Sequence, residues 1–234
     1  MNVAIITAAG KGTRLKSNIS KQFIKIYGKP ILAHTINAFQ NSSRISEIYI
    51  TISKSYLDYC KKEIIEKYSF SKVKNLIIGG NSRQQSVHNA LLAINSPCKT
   101  VSIHDAVRPL ITAKEINLII NTLRKENKSD PRVKGVIMAA PVYETVKKID
   151  GINTINATIP RRKVWFAQTP QTFFYDIILN AHSKAVEDNF LGTDDSSLVE
   201  RAGWKIKIVK GRHENIKITT PIDLFLAELM MSRK

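Results

Sequence analysis

The sequence predicts an α/β fold in which helices cover both faces of a twisted, mostly parallel sheet. Short runs rich in Val and Ile alternate with amphipathic helical segments from the N-terminus to residue 141. Strands separated by helices are typical of right-handed βαβ crossovers, which place successive strands parallel to one another. With 234 residues and no internal repeat or linker, the chain is expected to form a single Rossmann-like domain over 1–234.

The strands and helices of the first half follow from the spacing of apolar residues. Branched side chains pack well on a pleated surface, and they favour strands at 3–6, 48–52, 76–80, 101–103 and 136–141. Apolar residues at helical spacing favour helices at 28–41, 56–68, 83–94 and 112–125. Thr112 and Glu115 form a capping box at the start of the last of these helices.

The pattern changes between 142 and 165, where apolar residues are interrupted by many charges. Asp150-Gly151 favours a tight turn in the middle of this segment, so we expect a two-stranded β-hairpin rather than another βαβ unit. An isolated hairpin is only marginally stable in water. We therefore predict a protruding dimerisation arm at about 142–165 that packs against a neighbouring copy of the chain.

The C-terminal part returns to the core. Helices are expected at 175–188 and 194–202, and strands at 206–209 and 216–219. Thr193 is expected to cap the second of these helices, and Gly203 to end it. Thr220 as N-cap and Pro221 at the first helical position predict a final helix.

Charge is the unusual feature of the composition. Lys and Arg number 36 against 19 Asp and Glu, which gives a net charge of +17 and favours anionic partners. A basic nucleic-acid-binding module is one alternative on this ground. However, the lysines are spread along the whole chain and aromatic residues make up only 7% of it, so phosphorylated small molecules are the expected partners.

Neither a membrane span nor a disulfide framework is expected. No apolar run approaches the length needed to cross a bilayer. Cys60 and Cys98 are far apart in the sequence and do not form a CxxC pair. The reducing cytoplasm is therefore the expected location.

The sequence AAGKGTR at 8–14 follows the first strand and is the first candidate for a binding site. Gly and Ala allow a ligand to approach the backbone closely, and the exposed N–H groups of such a turn attract phosphate. Lys11, Arg14, Lys16 and Lys21 add positive charge around the loop. We interpret it as a polyphosphate cradle, with an ordinary strand-to-loop turn as the alternative.

Several common motifs are excluded. A dinucleotide fingerprint requires a third glycine at the position of Leu15, and a P-loop requires Gly-Lys-Ser/Thr where Leu15-Lys16-Ser17 stands. No Ser/His/Asp or Cys/His arrangement is evident, so covalent nucleophilic catalysis is not expected. His104 directly precedes Asp105 and is expected to face the opposite side of the sheet as a structural residue.

Further candidates fall at the ends of predicted strands, where open parallel sheets bind their ligands. The segment 79–83 follows the third strand, Asp105 and Arg108 follow the fourth, and Lys217 lies on a late strand. One carboxylate among several cations suits a Mg²⁺–polyphosphate complex, because the oxygen binds the metal and the cations bind the phosphates. Alternatively, Asp105 caps a loop or pairs with Arg108, and Lys21 and Lys217 are ordinary surface lysines.

A series of motifs supports the interpretation as a nucleotide site. In chain order they are AAGKGTR at 8–14, KQF at 21–23, GGNSRQQSV at 79–87, HDAVRP at 104–109, QTPQTF at 168–173, TDDSSLVE at 193–200 and NIKITTP at 215–221. Together they resemble the sugar-phosphate cytidylyltransferases over essentially the whole chain. The resemblance implies a nucleotidyltransferase that uses CTP and Mg²⁺ and releases pyrophosphate. The acceptor it implies is a methylerythritol phosphate of isoprenoid precursor synthesis, with ribitol 5-phosphate of teichoic acid synthesis as the alternative.

The resemblance also implies roles for individual residues. The residues that act on the reacting phosphates are Arg14, Lys21 and Lys217. The residues that bind the nucleotide are Ala8, Ala9, Gly10, Lys11, Gly80, Ser86 and Asp105, of which Asp105 also binds Mg²⁺. The residues that bind the acceptor are Thr145, Arg161 and Thr169. Because Thr145 and Arg161 lie on the arm, the resemblance implies a homodimer in which each arm enters the neighbouring site.

Overall fold

The computed structural model of the chain describes residues 1–10 and 20–232. The strands in this part are β1 (Asn2–Thr7), β2 (Lys25–Ile26), β3 (Lys29–Pro30), β4 (Glu47–Ile52), β5 (Val73–Ile78), β6 (Thr100–Asp105), β7 (Val133–Pro141), β8 (Val146–Ile149), β9 (Ile155–Ile159), β10 (Trp165–Phe174) and β11 (Lys205–Lys210). The helices are α1 (Ile31–Gln40), α2 (Leu57–Cys60), α3 (Arg83–Leu92), α4 (Ala113–Ser129), α5 (Tyr175–Glu187), α6 (Asp195–Arg201) and α7 (Pro221–Ser232). A π-helical segment, Lys61–Glu66, continues α2, and the two together occupy the helix predicted at 56–68.

The central sheet has seven strands in the order β11-β7-β10-β6-β1-β4-β5. β1 is parallel to β4 and β6, β4 is parallel to β5, and β7 is parallel to β11. β10 runs antiparallel between β6 and β7. The predicted α/β fold with a mostly parallel sheet is confirmed. The carboxyl ends of β1, β4, β5 and β6 therefore meet at one edge of the sheet.

Helices pack on both faces of this sheet, because successive residues of a strand point to opposite sides. On one face, Ile6 of β1 belongs to the same apolar layer as Phe39 of α1. On the other face, Ile5 belongs to a layer with Val87 of α3 and Ile178 of α5. All five side chains are fully buried. The two layers fix β1 between helices. They thereby hold in place the start of the AAGKGTR segment at 8–14, which is called the glycine loop below.

Strand β10 lies in the centre of the sheet and was not predicted from the sequence. Proline cannot donate to a strand ladder, and Pro170 within QTPQTF argues against a central strand. The ladder accommodates Pro170 by an irregularity, since the register with β7 shifts between Ala167 and Gln171. The polar residues Gln168 and Gln171 are nevertheless buried, so this strand carries hydrogen-bonding groups into the interior.

The strand predicted at 216–219 is wrong, because this segment belongs to no sheet. Ile218 donates a backbone hydrogen bond to the carbonyl of Val107 at 2.9 Å. Its side chain is fully buried in a small apolar cluster with Leu110 and Ala227 of α7. The alternating pattern therefore reflects burial of a loop that passes over the end of β6.

The helix ends show two predicted caps and one correction. Thr112 and Glu115 form the predicted capping box of α4. Thr220 accepts from the backbone N–H of Asp223 at 3.4 Å at the start of α7. Helix α6 is capped by Asp194 rather than by Thr193, because the Asp194 carboxylate accepts the backbone N–H of Ser197 at 2.9 Å. Gly203, with φ +84°, follows this helix as expected.

The segment 142–165 contains the predicted hairpin. β8 and β9 form a separate two-stranded antiparallel sheet. The Asp150 carboxylate accepts backbone N–H groups of Ile152 and Thr154 at 3.0 and 2.9 Å, which closes the turn. Three isoleucines are exposed on the hairpin: Ile149 at 52%, Ile152 at 82% and Ile155 at 60%.

None of the described helices is long and apolar enough to cross a membrane.

Candidate active site

A cavity of about 450 Å³ opens at the carboxyl ends of β1, β4 and β6. The predicted site residues that line it are Ala8, Ala9, Gly10, Lys21, Gly80, Ser86, Asp105 and Lys217. The predicted Lys11 and Arg14 lie outside the described residues. The structure thus brings together residues from five segments of the chain, and those at 8–10, 80–86 and 105 lie at the carboxyl ends of β1, β5 and β6.

Hydrogen bonds of Ala8 connect the start of the glycine loop to β4 and to the short turn Lys21–Phe23. Ala8 donates its backbone N–H to the carbonyl of Thr51 at 2.8 Å, which extends the pairing of β1 with β4. The carbonyl of Ala8 accepts the side-chain amide of Gln22 at 2.7 Å, and Gln22 is only 2% exposed. This bond fixes the short turn Lys21–Phe23 against the start of the loop and places Lys21 on the cavity wall. Gln22 had no predicted role.

The second glycine turn, at 79–83, follows β5 and forms another part of the cavity wall. A Cβ on Gly79 would clash with the Cβ of Ala9, so the two glycine-bearing loops approach each other closely only with glycine at this position. Ser86 accepts the backbone N–H of Gly80 at 3.0 Å and donates to the carbonyl of Ser82 at 2.8 Å. The Ser86 hydroxyl therefore shapes this turn. Its predicted role in reading cytosine stays a prediction.

Asp105, at the end of β6, is the centre of the charge distribution. Its carboxylate lies 3.2 Å from Nε of Arg83, 3.5 Å from Nε of Arg108 and 2.9 Å from Nζ of Lys217. Burial alone would raise the pKa of Asp105, but the charges of Arg83, Lys217 and Arg108 outweigh it and hold this pKa well below its usual range. The cavity therefore contains an ionised carboxylate with three cations around it.

Arg83 extends this network to a second buried carboxylate. Its NH1 group lies 2.8 Å from Oδ2 of Asp195, which is 1% exposed. The other oxygen of Asp195 lies 3.2 Å from Nε2 of His182. Arg83 lies in the candidate segment 79–83 but was given no role of its own, and Asp195, in the TDDSSLVE motif, was not among the predicted site residues. The contact itself joins positions 112 residues apart, and nothing in either motif indicates it.

The predicted structural role of His104 agrees with its environment. The ring is fully buried and contacts Thr169 Oγ1 through Nδ1 at 3.0 Å and the carbonyl of Arg108 through Nε2 at 3.2 Å. Burial lowers the pKa of His104 to about 4, so the ring is neutral at neutral pH. The Thr169 hydroxyl also accepts the backbone N–H of Asp105 at 3.1 Å. The Thr169 hydroxyl therefore helps to position the backbone of Asp105, and Thr169 itself does not line the cavity.

The two predicted acceptor residues of the arm do not line the cavity of their own chain. Thr145 and Arg161 are both exposed. The Arg161 guanidinium donates to the carbonyl of Tyr143 at the base of the arm. The Tyr143 ring stacks on His213, with ring centroids 4.6 Å apart, and so connects the arm to the loop that carries Lys217.

The residues present fit a magnesium ion that is shared with a nucleotide. Among residues 1–10 and 20–232, no group of three His, Cys, Asp or Glu side chains could hold a metal by itself. Asp105 lines the cavity and can supply one ionised carboxylate oxygen. Mg²⁺ at nucleotide sites is commonly bound by one or two carboxylates together with phosphate oxygens and waters. The geometry therefore suits a cation that arrives with a triphosphate.

Comparison with known proteins gives a consistent set of relatives. Residues 2–233 match the family model of 2-C-methyl-D-erythritol 4-phosphate cytidylyltransferase. The chain is 42% identical to the enzyme of this name from Caldanaerobacter subterraneus subsp. tengcongensis, with full coverage of both chains. It is 45% identical to that of Clostridium acetobutylicum, with 100% of this chain and 98% of the relative covered.

A solved structure is similar over the same length. It is the crystal structure of 4-diphosphocytidyl-2C-methyl-D-erythritol synthase from Anaerococcus prevotii, which is 33% identical to this chain. The TM-score is 0.86, and the match covers 99% of this chain and 98% of that one. The likeness therefore extends over the central sheet, its helices and the segment of the arm.

Proposed function

Since the chain belongs to the 2-C-methyl-D-erythritol 4-phosphate cytidylyltransferase family, we propose that its reaction takes place in the cavity around Asp105. The enzyme transfers CMP from CTP to 2-C-methyl-D-erythritol 4-phosphate and produces 4-diphosphocytidyl-2-C-methyl-D-erythritol and pyrophosphate. The family and its relatives do not favour ribitol 5-phosphate as the acceptor. The observation that carries the placement is the ionised Asp105 among three cations, at the edge where two glycine loops meet.

The reaction requires positioning and charge neutralisation rather than a general base. A phosphate oxygen of the acceptor attacks the α-phosphorus of CTP, the bond to the β-phosphate oxygen breaks, and pyrophosphate leaves. The acceptor phosphate is already ionised at neutral pH, so no residue has to remove a proton. Negative charge that builds on the α-phosphoryl group is stabilised by fixed cations, for which Lys21 and Lys217 lie on the cavity wall.

Asp105 would hold Mg²⁺ through one carboxylate oxygen. Phosphate oxygens of CTP and water molecules would supply the remaining ligands. When bound, the cation neutralises phosphate charge and helps to align the triphosphate. Lys217 lies 2.9 Å from Asp105, so the same side chain can exchange the carboxylate for a phosphate oxygen when CTP enters. The N–H groups of the loop that begins at Ala9 would hold the triphosphate from the opposite side.

Free Mg²⁺ is expected to bind poorly, and Mg²⁺ with CTP to bind well. Three cations surround one carboxylate, so the local charge without a nucleotide is positive and repels a divalent cation. Calorimetric titration with MgCl₂ should give no measurable heat for the protein alone and a clear isotherm with CTP present. Pyrophosphate release with CTP and the acceptor should stop when EDTA removes the metal.

Asp105→Asn provides the matched variant, because it keeps the shape of the side chain and removes its charge. We expect this variant to need far more Mg²⁺ for pyrophosphate release. Tight binding of Mg²⁺ to the wild-type protein without nucleotide would contradict the shared site. An unchanged Mg²⁺ requirement in Asp105→Asn would show that another group holds the metal.

The arm is proposed to complete the site of a neighbouring subunit in a homodimer. Its exposed isoleucines, Ile149, Ile152 and Ile155, leave apolar surface that a second copy could cover. Thr145 and Arg161 lie outside the cavity of their own chain, where they can bind the acceptor phosphate of a partner site. A two-fold axis would give both sites the same composition.

The cytoplasm is the proposed location of the enzyme. Cys60 and Cys98 are both free thiols, and burial raises the pKa of Cys60 to about 12 and that of Cys98 to about 11. Unreactive free thiols are consistent with a reducing compartment. CTP is also a cytoplasmic metabolite, so the substrate and the redox state of the cysteines agree.

A further inference from the structure

Arg83 occupies an unusual place, between two buried carboxylates at the wall of the cavity. Its Nε lies 3.2 Å from Oδ1 of Asp105, and its NH1 lies 2.8 Å from Oδ2 of Asp195. Arg83 is the first residue of α3, where the positive end of the helix dipole disfavours a cation. The two carboxylates offset this cost, and Asp195 lies where the dipole of α6 favours negative charge.

Asp195 is held on both of its oxygens. Oδ2 accepts from Arg83, and Oδ1 lies 3.2 Å from Nε2 of His182, whose ring is fully buried. Burial alone would raise the pKa of Asp195, but the charge of Arg83 and the contact with His182 outweigh it and keep the carboxyl ionised. An ionised carboxylate can only accept, so the Nε2 atom of His182 carries the proton.

The position of Asp195 limits how Arg83 can contact Asp105. A guanidinium pairs most strongly with a carboxylate through two parallel N–H groups. The N–H group parallel to Nε–H is on NH2, so a bidentate pair requires the guanidinium to turn NH2 toward Asp105. Here NH1 is bound to Asp195, and Arg83 reaches Asp105 through Nε. This turn would draw NH1 away from Asp195 and leave a buried charge without its cation, which is strongly unfavourable. Asp195 therefore opposes a bidentate pair between Arg83 and Asp105.

We propose that Asp195, braced by His182, is a positioning residue that holds Arg83 away from a bidentate pair with Asp105 and keeps the Asp105 carboxylate available to the divalent cation that accompanies CTP. The inference rests on the proposed role of Asp105 in holding that cation. A neutral residue at position 195 holds NH1 less strongly, so the guanidinium can turn its Nε and NH2 groups toward Asp105. The guanidinium then competes with the cation for the same oxygens.

The test uses Asp195→Asn and measures the binding of Mn²⁺ by electron paramagnetic resonance, with a non-reactive CTP analogue present. We expect the Mn²⁺ concentration at half-saturation to rise about tenfold relative to the wild type. In the pyrophosphate assay, KM for CTP and kcat should return to within a few-fold of wild type at saturating Mg²⁺. Asp195→Glu keeps the charge and should lie between the two.

Two control variants separate positioning from general effects. Asp188→Asn removes the same charge from an exposed pair with Arg201 and should leave the metal requirement unchanged. Arg83→Gln combined with Asp195→Asn replaces the ion pair by neutral amides and removes the competing guanidinium. This double variant should need no more Mn²⁺ than the wild type, and it tests the inference even if Asp195→Asn alone does not fold.

Each outcome decides the inference. An unchanged Mn²⁺ requirement in folded Asp195→Asn, or a double variant that needs more Mn²⁺ than the wild type, would overturn it. So would a loss of kcat that no metal concentration restores, together with a lower melting temperature, because that result describes a structural residue. A wild-type enzyme that binds the CTP analogue and turns over without a divalent cation would instead overturn the proposed role of Asp105, and the inference with it.

Discussion

Replacing Lys21 with alanine is expected to lower kcat about a hundredfold while KM for CTP changes little. Lys21 lines the cavity in a short turn that the bond from Gln22 to Ala8 fixes against the glycine loop. A preorganised cation of this kind stabilises charge that develops in the transition state, and its loss typically costs about 3 kcal/mol. Steady-state kinetics of pyrophosphate release, with CTP varied at saturating acceptor, measures both parameters.

Lys25→Ala is the matched control for this variant. Lys25 is an exposed lysine four residues further along the chain, on β2, and it does not line the cavity. Its replacement removes the same charge and should leave kcat within twofold of wild type. An effect of Lys21→Ala confined to KM would show that this cation binds substrate and transition state equally. Equal activity of both variants would show that Lys21 has no part in the reaction.

Mixing two inactive variants is expected to restore about a quarter of the wild-type activity. If each arm enters the partner's cavity, a site takes Lys21 from one chain and Arg161 from the other. Lys21→Ala and Arg161→Ala homodimers should then both be nearly inactive. Random reassortment of equal amounts makes half of the dimers mixed, and each mixed dimer has one site with both defects and one with neither.

The experiment unfolds and refolds the two variants together and then measures formation of the CDP-polyol. Differently tagged chains establish that subunits have exchanged, and each variant refolded alone gives the baseline. Activity that stays at this baseline after proven exchange would mean that the arm serves its own subunit. Lys25→Ala mixed with Arg161→Ala gives a second reference, since its mixed dimers retain one intact site and its Lys25→Ala homodimers retain two.

The regular part of the fold is predictable because local periodicity and burial agree there. The strand β1, which precedes the first glycine turn, contains an apolar run at 3–6, and the capping box at Thr112 marks the start of α4. β10 escapes prediction because its irregular register accommodates Pro170 and because buried hydrogen bonds satisfy its glutamines. The segment 216–219 has the apolar pattern of a strand, but its isoleucines, the buried Ile218 and the partly buried Ile216, pack as part of a loop.

The sequence predicts a site residue only where a glycine or a charged side chain lies at the end of a predicted strand. Asp105 lies at the end of β6, where a parallel sheet binds its ligands, whereas Lys217 reaches it at 2.9 Å from a loop and not from the predicted strand. Nothing in the sequence distinguishes Gln22 from other polar residues. Its role follows only from its hydrogen bond to the carbonyl of Ala8. Arg83 and Asp195 are 112 residues apart, and no spacing rule relates them. Pairwise contacts of this kind depend on how α3 and α6 pack, which a single sequence does not encode locally.

The choice of acceptor is the most direct test of the central claim. The purified enzyme is assayed for pyrophosphate release with CTP and Mg²⁺, with 2-C-methyl-D-erythritol 4-phosphate or ribitol 5-phosphate varied, and the products are identified by mass spectrometry. We predict that kcat/KM is at least about a hundredfold higher with the methylerythritol phosphate, because a site built to hydrogen-bond one polyol discriminates strongly against another. A higher kcat/KM with ribitol 5-phosphate, or pyrophosphate release that depends on neither acceptor, would contradict the account.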